Sequence, residues 1–100
     1  MKKKSVLWTE KASESLDLFC AYISKDSPSA SKRVKKEIIL TAKQLAINPE
    51  IYQFDEIFTD PSRNIRRFFR WSYKVIYQVN ERDVIILDVF HTSTGSSEEE

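Results

Sequence analysis

The stretch Ile65-Arg66-Arg67-Phe68-Phe69-Arg70-Trp71-Ser72-Tyr73-Lys74-Val75-Ile76-Tyr77-Gln78-Val79, with Val84-Ile85-Ile86-Leu87-Asp88-Val89-Phe90-His91 after it, decides the fold. Its β-branched and aromatic residues suit a pleated, half-buried surface. Ile65–Trp71, Tyr73–Val79 and Val84–Phe90 read as three strands, with Asn80 to Asp83 as a hairpin connection. A three-residue loop there places Val75, Tyr77 and Val79 on one face with Ile85, Leu87 and Val89. Lys74, Ile76 and Gln78 then share the other face with Asp88. This register puts the one charged residue of the last strand on the polar side, and a one-residue slip would reverse it. It also makes Tyr73 and His91 neighbours at the open end of the hairpin.

Upstream of the strands the period changes from two to that of a helix. Ser5–Trp8 is a short β-prone run. Thr9 is a helix cap, its hydroxyl accepting a free backbone N–H, and Glu10 sits in the first turn against the positive end of the dipole. Ala12, Leu16, Phe19, Cys20 and Ile23 form one helical face. Ser27-Pro28 starts a second helix, since Pro at the first helical position loses no needed hydrogen bond. Ala30, Val34, Ile38, Thr41 and Leu45 repeat at helical spacing, and Asn48-Pro49 ends the element. Two helices joined by so short a turn read as an antiparallel hairpin. Glu50 to Ser62 has neither period, and reads as a loop that packs Tyr52, Phe54, Ile57 and Phe58 onto the domain around a short extended piece. The order is β-α-α-β-β-β, an α+β domain with the helical hairpin packed on an antiparallel sheet. Residues 1–92 are expected to form the domain, and residues 93–100 a polar acidic tail.

One hundred residues accommodate one domain with one core and need no metal or disulfide staple. Hydrophobic residues at 41% and charged residues at 31% exclude general disorder. A single cysteine forbids an internal disulfide and suits a reducing cytosol. After Met1-Lys2-Lys3-Lys4 there is no apolar run for a signal peptide or membrane span, so a cytoplasmic protein is expected. One Gly leaves no Gly-rich phosphate cradle. The net charge of +1 argues on its face against nucleic acid, but it sums opposed blocks. Residues 1–50 hold ten Lys and Arg against six Asp and Glu, and residues 51–100 hold six against nine. Glu50 to Asp60 carries acids only; Arg63 to Tyr77 carries Arg63, Arg66, Arg67, Arg70 and Lys74 and no acid.

In this order and spacing the chain resembles the RelE/ParE toxin superfamily of bacterial toxin–antitoxin modules. The matching pieces are Trp8-Thr9-Glu10-Lys11-Ala12, the Leu16…Tyr22-Ile23 face, Ser27-Pro28…Ala30 and Leu45…Asn48-Pro49-Glu50. The most specific is Arg66-x-Phe68 followed by Tyr73-Lys74-Val75-Ile76-Tyr77-Gln78-Val79, completed by Val84-Ile85-Ile86-Leu87…Val89-Phe90-His91. The resemblance implies a small cytoplasmic toxin neutralised by a cognate antitoxin protein, whose C-terminal segment wraps over helices and sheet. It also implies one of two targets: mRNA in the ribosomal A site for RelE-like members, or DNA gyrase for ParE-like members, which are not nucleases. Fold alone does not choose between them.

A nuclease would need a base, an acid, and cations on the phosphate. The resemblance nominates His91, Arg66 and Tyr73 as catalytic in that case, and Arg66, Arg67, Arg70 and Lys74 as target- or phosphate-binding. Lys74 stands where RelE-like toxins carry an Arg, and a lysine cannot make the bidentate phosphate contact. The antitoxin is expected to meet Val34, Ile38, Arg66 and Tyr77. Each residue also has a structural reading. His91 can be a packed strand-end residue, and Arg66 an ion-pair partner of Asp55, Glu56 or Asp60. Tyr73 and Tyr77 can be core, Cys20 an inert buried thiol, and the basic stripe of the second helix a solvated face. RelE-like nucleases continue past the last strand with another basic residue and a catalytic group such as Tyr. Here Thr92-Ser93-Thr94-Gly95 leads to Glu98-Glu99-Glu100, and no Lys or Arg follows Arg82. That favours a ParE-like, non-enzymatic toxin acting on gyrase. A ribosome-dependent mRNA endoribonuclease and an inactive antitoxin-binding relative are the alternatives. No metal or cofactor is expected, because one His and one distant Cys cannot build a zinc set.

Overall fold

The computed structural model describes residues 3–57 and 60–92; Phe58 of the expected loop and the acidic tail 93–100 lie outside the described residues. Strand β1 (Ser5–Trp8) leads into helices α1 (Glu10–Asp26) and α2 (Pro28–Gln44). A short 3-10 turn (Pro61–Arg63) precedes β2 (Ile65–Arg70), β3 (Tyr73–Val79) and β4 (Asp83–His91).

The helices begin and end where local chemistry directs. The Thr9 hydroxyl accepts the Ala12 N–H (3.0 Å) and donates toward the carbonyls of Ile86 and Leu87. It therefore caps α1 and ties the helix to β4. Ser27 serves both helices: its N–H closes α1 on the Ile23 carbonyl, and its hydroxyl accepts the Ala30 N–H at the start of α2. One residue thus makes the whole corner of the hairpin. Ser31 then donates to the Cys20 carbonyl (2.7 Å), so a buried hydroxyl bonds across the helix pair where their backbones approach.

The sheet order is β1-β4-β3-β2. β2, β3 and β4 are antiparallel neighbours, but β1 lies parallel to β4, so the sheet is mixed rather than wholly antiparallel. The helical hairpin is the crossover that parallel pairing requires. Ala12 and Leu16 of α1, Val34, Ile38 and Ala42 of α2, and Phe68, Val75 and Tyr77 of the sheet form one core. Its largest enclosed side chain is Tyr77, whose hydroxyl donates to the Pro49 carbonyl (2.8 Å).

The hairpin register holds at one end and shifts at the other. Tyr73 pairs with His91 and Val75 with Val89, as the alternation predicts. Between Ile76 and Tyr77 the register slips by one, because Leu87 is an extra residue in β4. Such a bulge reverses the faces of everything beyond it. Val84 and Ile86 therefore enter the core in place of Ile85 and Leu87. Asp88 sits beside the bulge and is buried, not on a solvated face. Its carboxylate accepts from the Ser15 hydroxyl (2.8 Å) and the Val89 N–H (2.7 Å), and Lys11 lies 3.5 Å away. The bulge is thereby locked to α1.

Lys11 is mostly exposed, so its ion pair contributes little, whereas the two hydrogen bonds to the carboxylate are enclosed. Asp88→Ala is expected to destabilise the protein by about 2 kcal/mol, read from the urea midpoint. Lys11→Ala is expected to cost less than about 0.5 kcal/mol. Equal effects would show that the bulge does not depend on the Asp88 hydrogen bonds.

Candidate functional site

The basic block does not form one surface. Phe68 lies in the core, so Arg66 and Arg70 share its face, the one that also bears the helices. Arg67 and Phe69 lie on the opposite face, in register with Ile76 and Lys74. A phosphate on either side of the sheet would meet at most part of the set.

What gathers these cations is the segment Glu50–Asp55. It runs antiparallel along the outer edge of β2. The Asp55 N–H donates to the Ile65 carbonyl (2.9 Å), the Arg67 N–H donates to the Gln53 carbonyl (3.1 Å), and Phe54 bridges to Arg66. This is the extended piece expected within the loop, and it covers an edge that would otherwise stay open to strand pairing. Its residues then take up the cations in turn. Arg66 donates through Nη1 to the Tyr52 carbonyl (2.6 Å) and through Nε to Asn64 Oδ1 (2.9 Å). Its Nη2 lies 4.0 Å from Glu50, and the guanidinium stacks 4.2 Å from the Phe54 ring centre. Arg67 donates to Gln53 Oε1 (3.3 Å) and lies over the Phe69 ring. Arg70 reaches the Tyr52 hydroxyl (3.3 Å) and the Phe69 carbonyl (2.7 Å).

Lys74 is the most enclosed of the four contacts. Its ammonium lies 2.8 Å from Asp55 Oδ1, and the Asp55 side chain is 0% exposed. The other carboxylate oxygen accepts the Ile57 N–H (3.0 Å). The acid for Lys74 is therefore Asp55, and the acid for Arg66 is Glu50 rather than Asp55, Glu56 or Asp60. Asp60 instead caps the 3-10 turn through Ser62, and those hydrogen bonds hold its carboxyl below the usual range.

The three residues nominated for catalysis are not brought together. His91 and Tyr73 pack edge to face at 5.0 Å, and both meet the ring of Phe19. Arg66 pairs with Tyr77, four residues further along β3, which is roughly 13 Å at the rise of a strand. Tyr73 is buried, and that burial pushes its hydroxyl above the ordinary tyrosine range. Tyr77 is pushed up further, again chiefly by burial. Val34, Ile38 and Tyr77, expected to meet a partner, are covered by the chain's own core. Of the four residues expected at the antitoxin, only Arg66 retains access to solvent. Cys20 is buried, as its helical position predicts, and burial raises its thiol.

Sequence reasoning missed the roles of Glu50, Tyr52, Gln53 and Asn64. Asn64 carries the one available signal: its φ of 53° is a left-handed conformation that asparagine tolerates, and it turns the chain into β2 beside Arg66. Nothing in the spacing of Glu50 or Gln53 announces their partners.

The domain is thus a two-helix hairpin laid on a mixed four-stranded sheet, edged by an extended segment. The chain aligns with a chromosomal ParDE toxin–antitoxin system from P. aeruginosa at a TM-score of 0.69 and 21% identity, covering 89% of this chain and 96% of the other. A RelBE toxin–antitoxin complex from Mycobacterium tuberculosis aligns at 0.60 and 19% identity, covering 91% and 93%. A RelB–RelE complex from Methanococcus jannaschii aligns at 0.54 and 19% identity, covering 94% and 99%. At these identities the likeness establishes the fold. No curated protein matches the sequence. The family is fixed by the sequence itself: residues 6–94 match the ParE toxin of type II toxin–antitoxin systems (parDE), and the chain belongs to that family. No helix among the described residues is long and apolar enough to cross a membrane.

Two substitutions measure how far the basic block serves the fold. Lys74→Met leaves Asp55 buried without its counter-charge and is expected to cost about 3 kcal/mol, with Lys74→Met/Asp55→Leu recovering most of it. A double variant no better than the single would show that the pair is not coupled. Arg66→Ala is expected to lower stability by about 2 kcal/mol, through the enclosed hydrogen bonds to Tyr52 and Asn64. An unchanged melting temperature would return Arg66 to the list of residues kept for a target.

Proposed function

We propose that this ParE-family toxin acts in the cytoplasm by inhibiting DNA gyrase, is neutralised by a cognate antitoxin protein, and is not an enzyme. The observation that carries the reading is the engagement of Arg66, Arg67, Arg70 and Lys74 by Glu50–Asp55, with Arg66 held away from His91 and Tyr73. A ribonuclease that cleaves through the 2′-hydroxyl needs base, acid and phosphate-binding cations within hydrogen-bonding reach of one phosphate. These side chains are committed to their own fold and divided between two faces of a sheet. Inhibition by binding asks for surface rather than a proton-transfer constellation.

The antitoxin in this reading meets surface apolar residues, not the enclosed Val34, Ile38 and Tyr77. Exposed Leu18 and Tyr22 on α1 and Leu40 on α2 offer such surface, with Arg66 at the edge of β2. Solved ParDE and RelBE relatives were determined as toxin–antitoxin systems or complexes, which supports a protein partner.

Expression without the antitoxin is expected to arrest growth. The purified protein is expected to inhibit gyrase supercoiling while leaving ribosome-bound mRNA intact. Cut mRNA with untouched gyrase would replace this reading with the ribosome-dependent nuclease. Continued growth would make the protein an inactive antitoxin-binding relative.

A further inference from the structure

We infer that the β2–β3 turn, with Trp71 at its tip and Phe69 and Phe90 beside it, is the surface that docks the toxin's protein target, the indole entering an apolar pocket with an acidic rim. The inference deepens the gyrase reading and rests on it for the identity of that protein.

Arg70 pairs with Tyr73, so Trp71 and Ser72 form a two-residue hairpin turn. Such turns place at least one central residue at positive φ, where Gly, Asn and Asp are favoured. Trp71 occupies that position with φ 56°. A bulky side chain held there costs stability, and the cost persists only where something else requires the residue. The fold does not return it. Trp71 is 56% exposed, and its side chain enters no hydrogen bond or ring contact among the described residues. Glycine would fit the turn better, so the indole has its use outside the chain.

Its surroundings give the chemistry of the partner. Phe69, Lys74 and Phe90 stand in one row across β2, β3 and β4, on the face away from the helices. Phe69 and Phe90 are each nearly half exposed and flank the Lys74 stem. Trp, Phe and Arg together form the composition of energetically dominant interface centres. Arg67 and Arg70 of β2 hydrogen-bond to uncharged groups only, while Lys74 is neutralised by the buried Asp55 carboxylate, so the strand leading to the turn keeps a positive charge that complements carboxylates. A nucleic-acid strand would also stack on aromatics, but it needs a run of cations tracking its phosphates along one face. Here Lys74 is neutralised by Asp55, and Arg67 and Arg70 lie on opposite faces of β2, so no such run forms. The surface therefore fits a protein.

The test uses the full chain, with Trp71→Gly and Phe69→Thr compared against the parent. Trp71→Gly is expected to melt no lower than the parent, since it relieves the turn, and to lose at least about tenfold in gyrase inhibition. Phe69→Thr is expected to lose inhibition in the same direction. Trp71→Gly inhibiting as the parent does would overturn the proposal. If the parent leaves gyrase untouched, the gyrase reading fails separately, and growth arrest then decides: arrest lost in Trp71→Gly at equal protein level carries the surface to another protein target, and arrest retained overturns it. A parent that neither inhibits gyrase nor arrests growth also overturns it. So does a single-stranded RNA oligonucleotide retarded by the parent and not by Trp71→Gly, which makes nucleic acid the occupant. A parent dimer that dissociates in Trp71→Gly, seen by sedimentation, makes a second copy the occupant and overturns the proposal as well.

Discussion

The contact between Lys74 and Asp55 organises the β2 side of this molecule. An ammonium on a central strand is closed over by a carboxylate that water does not reach, at 2.8 Å. Burying either charge alone is costly, so each requires the other. Asp55 can meet Lys74 only if the preceding residues lie along β2, and the backbone bonds from Asp55 to Ile65 and from Arg67 to Gln53 put them there. Once Glu50–Asp55 is laid on that edge, Arg66, Arg67 and Arg70 find their partners along it. The segment also fills the side of the core that the helices leave open, with Tyr52 packed 5.5 Å from Phe68. Charge pairing, edge protection and core closure are thus a single event.

This explains why the helices and the hairpin were legible in the sequence and the site was not. Helix ends depend on neighbours in the chain, and Thr9, Ser27 and Pro28 speak for themselves. Strand existence depends on composition, and Tyr73–Val79 is unambiguous. The contact of Tyr73 with His91 follows from period and loop length alone. The faces of Ile85 and Leu87 could not be read, because one inserted residue reverses them and Leu87 looks like any strand leucine. The parallel placement of β1 was equally hidden, since four residues carry no mark of their partner's direction. The pairing of acidic loop with basic strand was visible as two blocks, but which acid meets which base depends on a path through three dimensions.

The same geometry changes the meaning of the charge total. Near-neutrality had concealed a basic block, and a basic block suggests an anion. In the folded chain that anion is largely the chain's own: the Glu50 and Asp55 carboxylates, helped by the carbonyl of Tyr52 and the amide of Gln53. A cation with an internal partner must be released before it can serve a ligand, and for Lys74 the release would strand Asp55 in a dry site. Surface cations carry no such debt, and the exposed lysines of α2 are better placed for long-range attraction of an acidic partner.

A ParDE toxin–antitoxin system and a RelBE toxin–antitoxin complex both superpose on the chain, so the fold does not by itself choose an activity and the side chains have to. In this chain the side chains suited to proton transfer are packed: His91 against Tyr73 and Phe19, and Tyr73 under the helices. The side chains left standing in solvent at the same end of the sheet are aromatic: Phe69, Trp71 and Phe90. An end of the sheet that packs its histidine and tyrosine inward and presents rings outward is arranged for contact. Rings lose little conformational freedom on docking and bury much apolar area, which is what a contact surface requires.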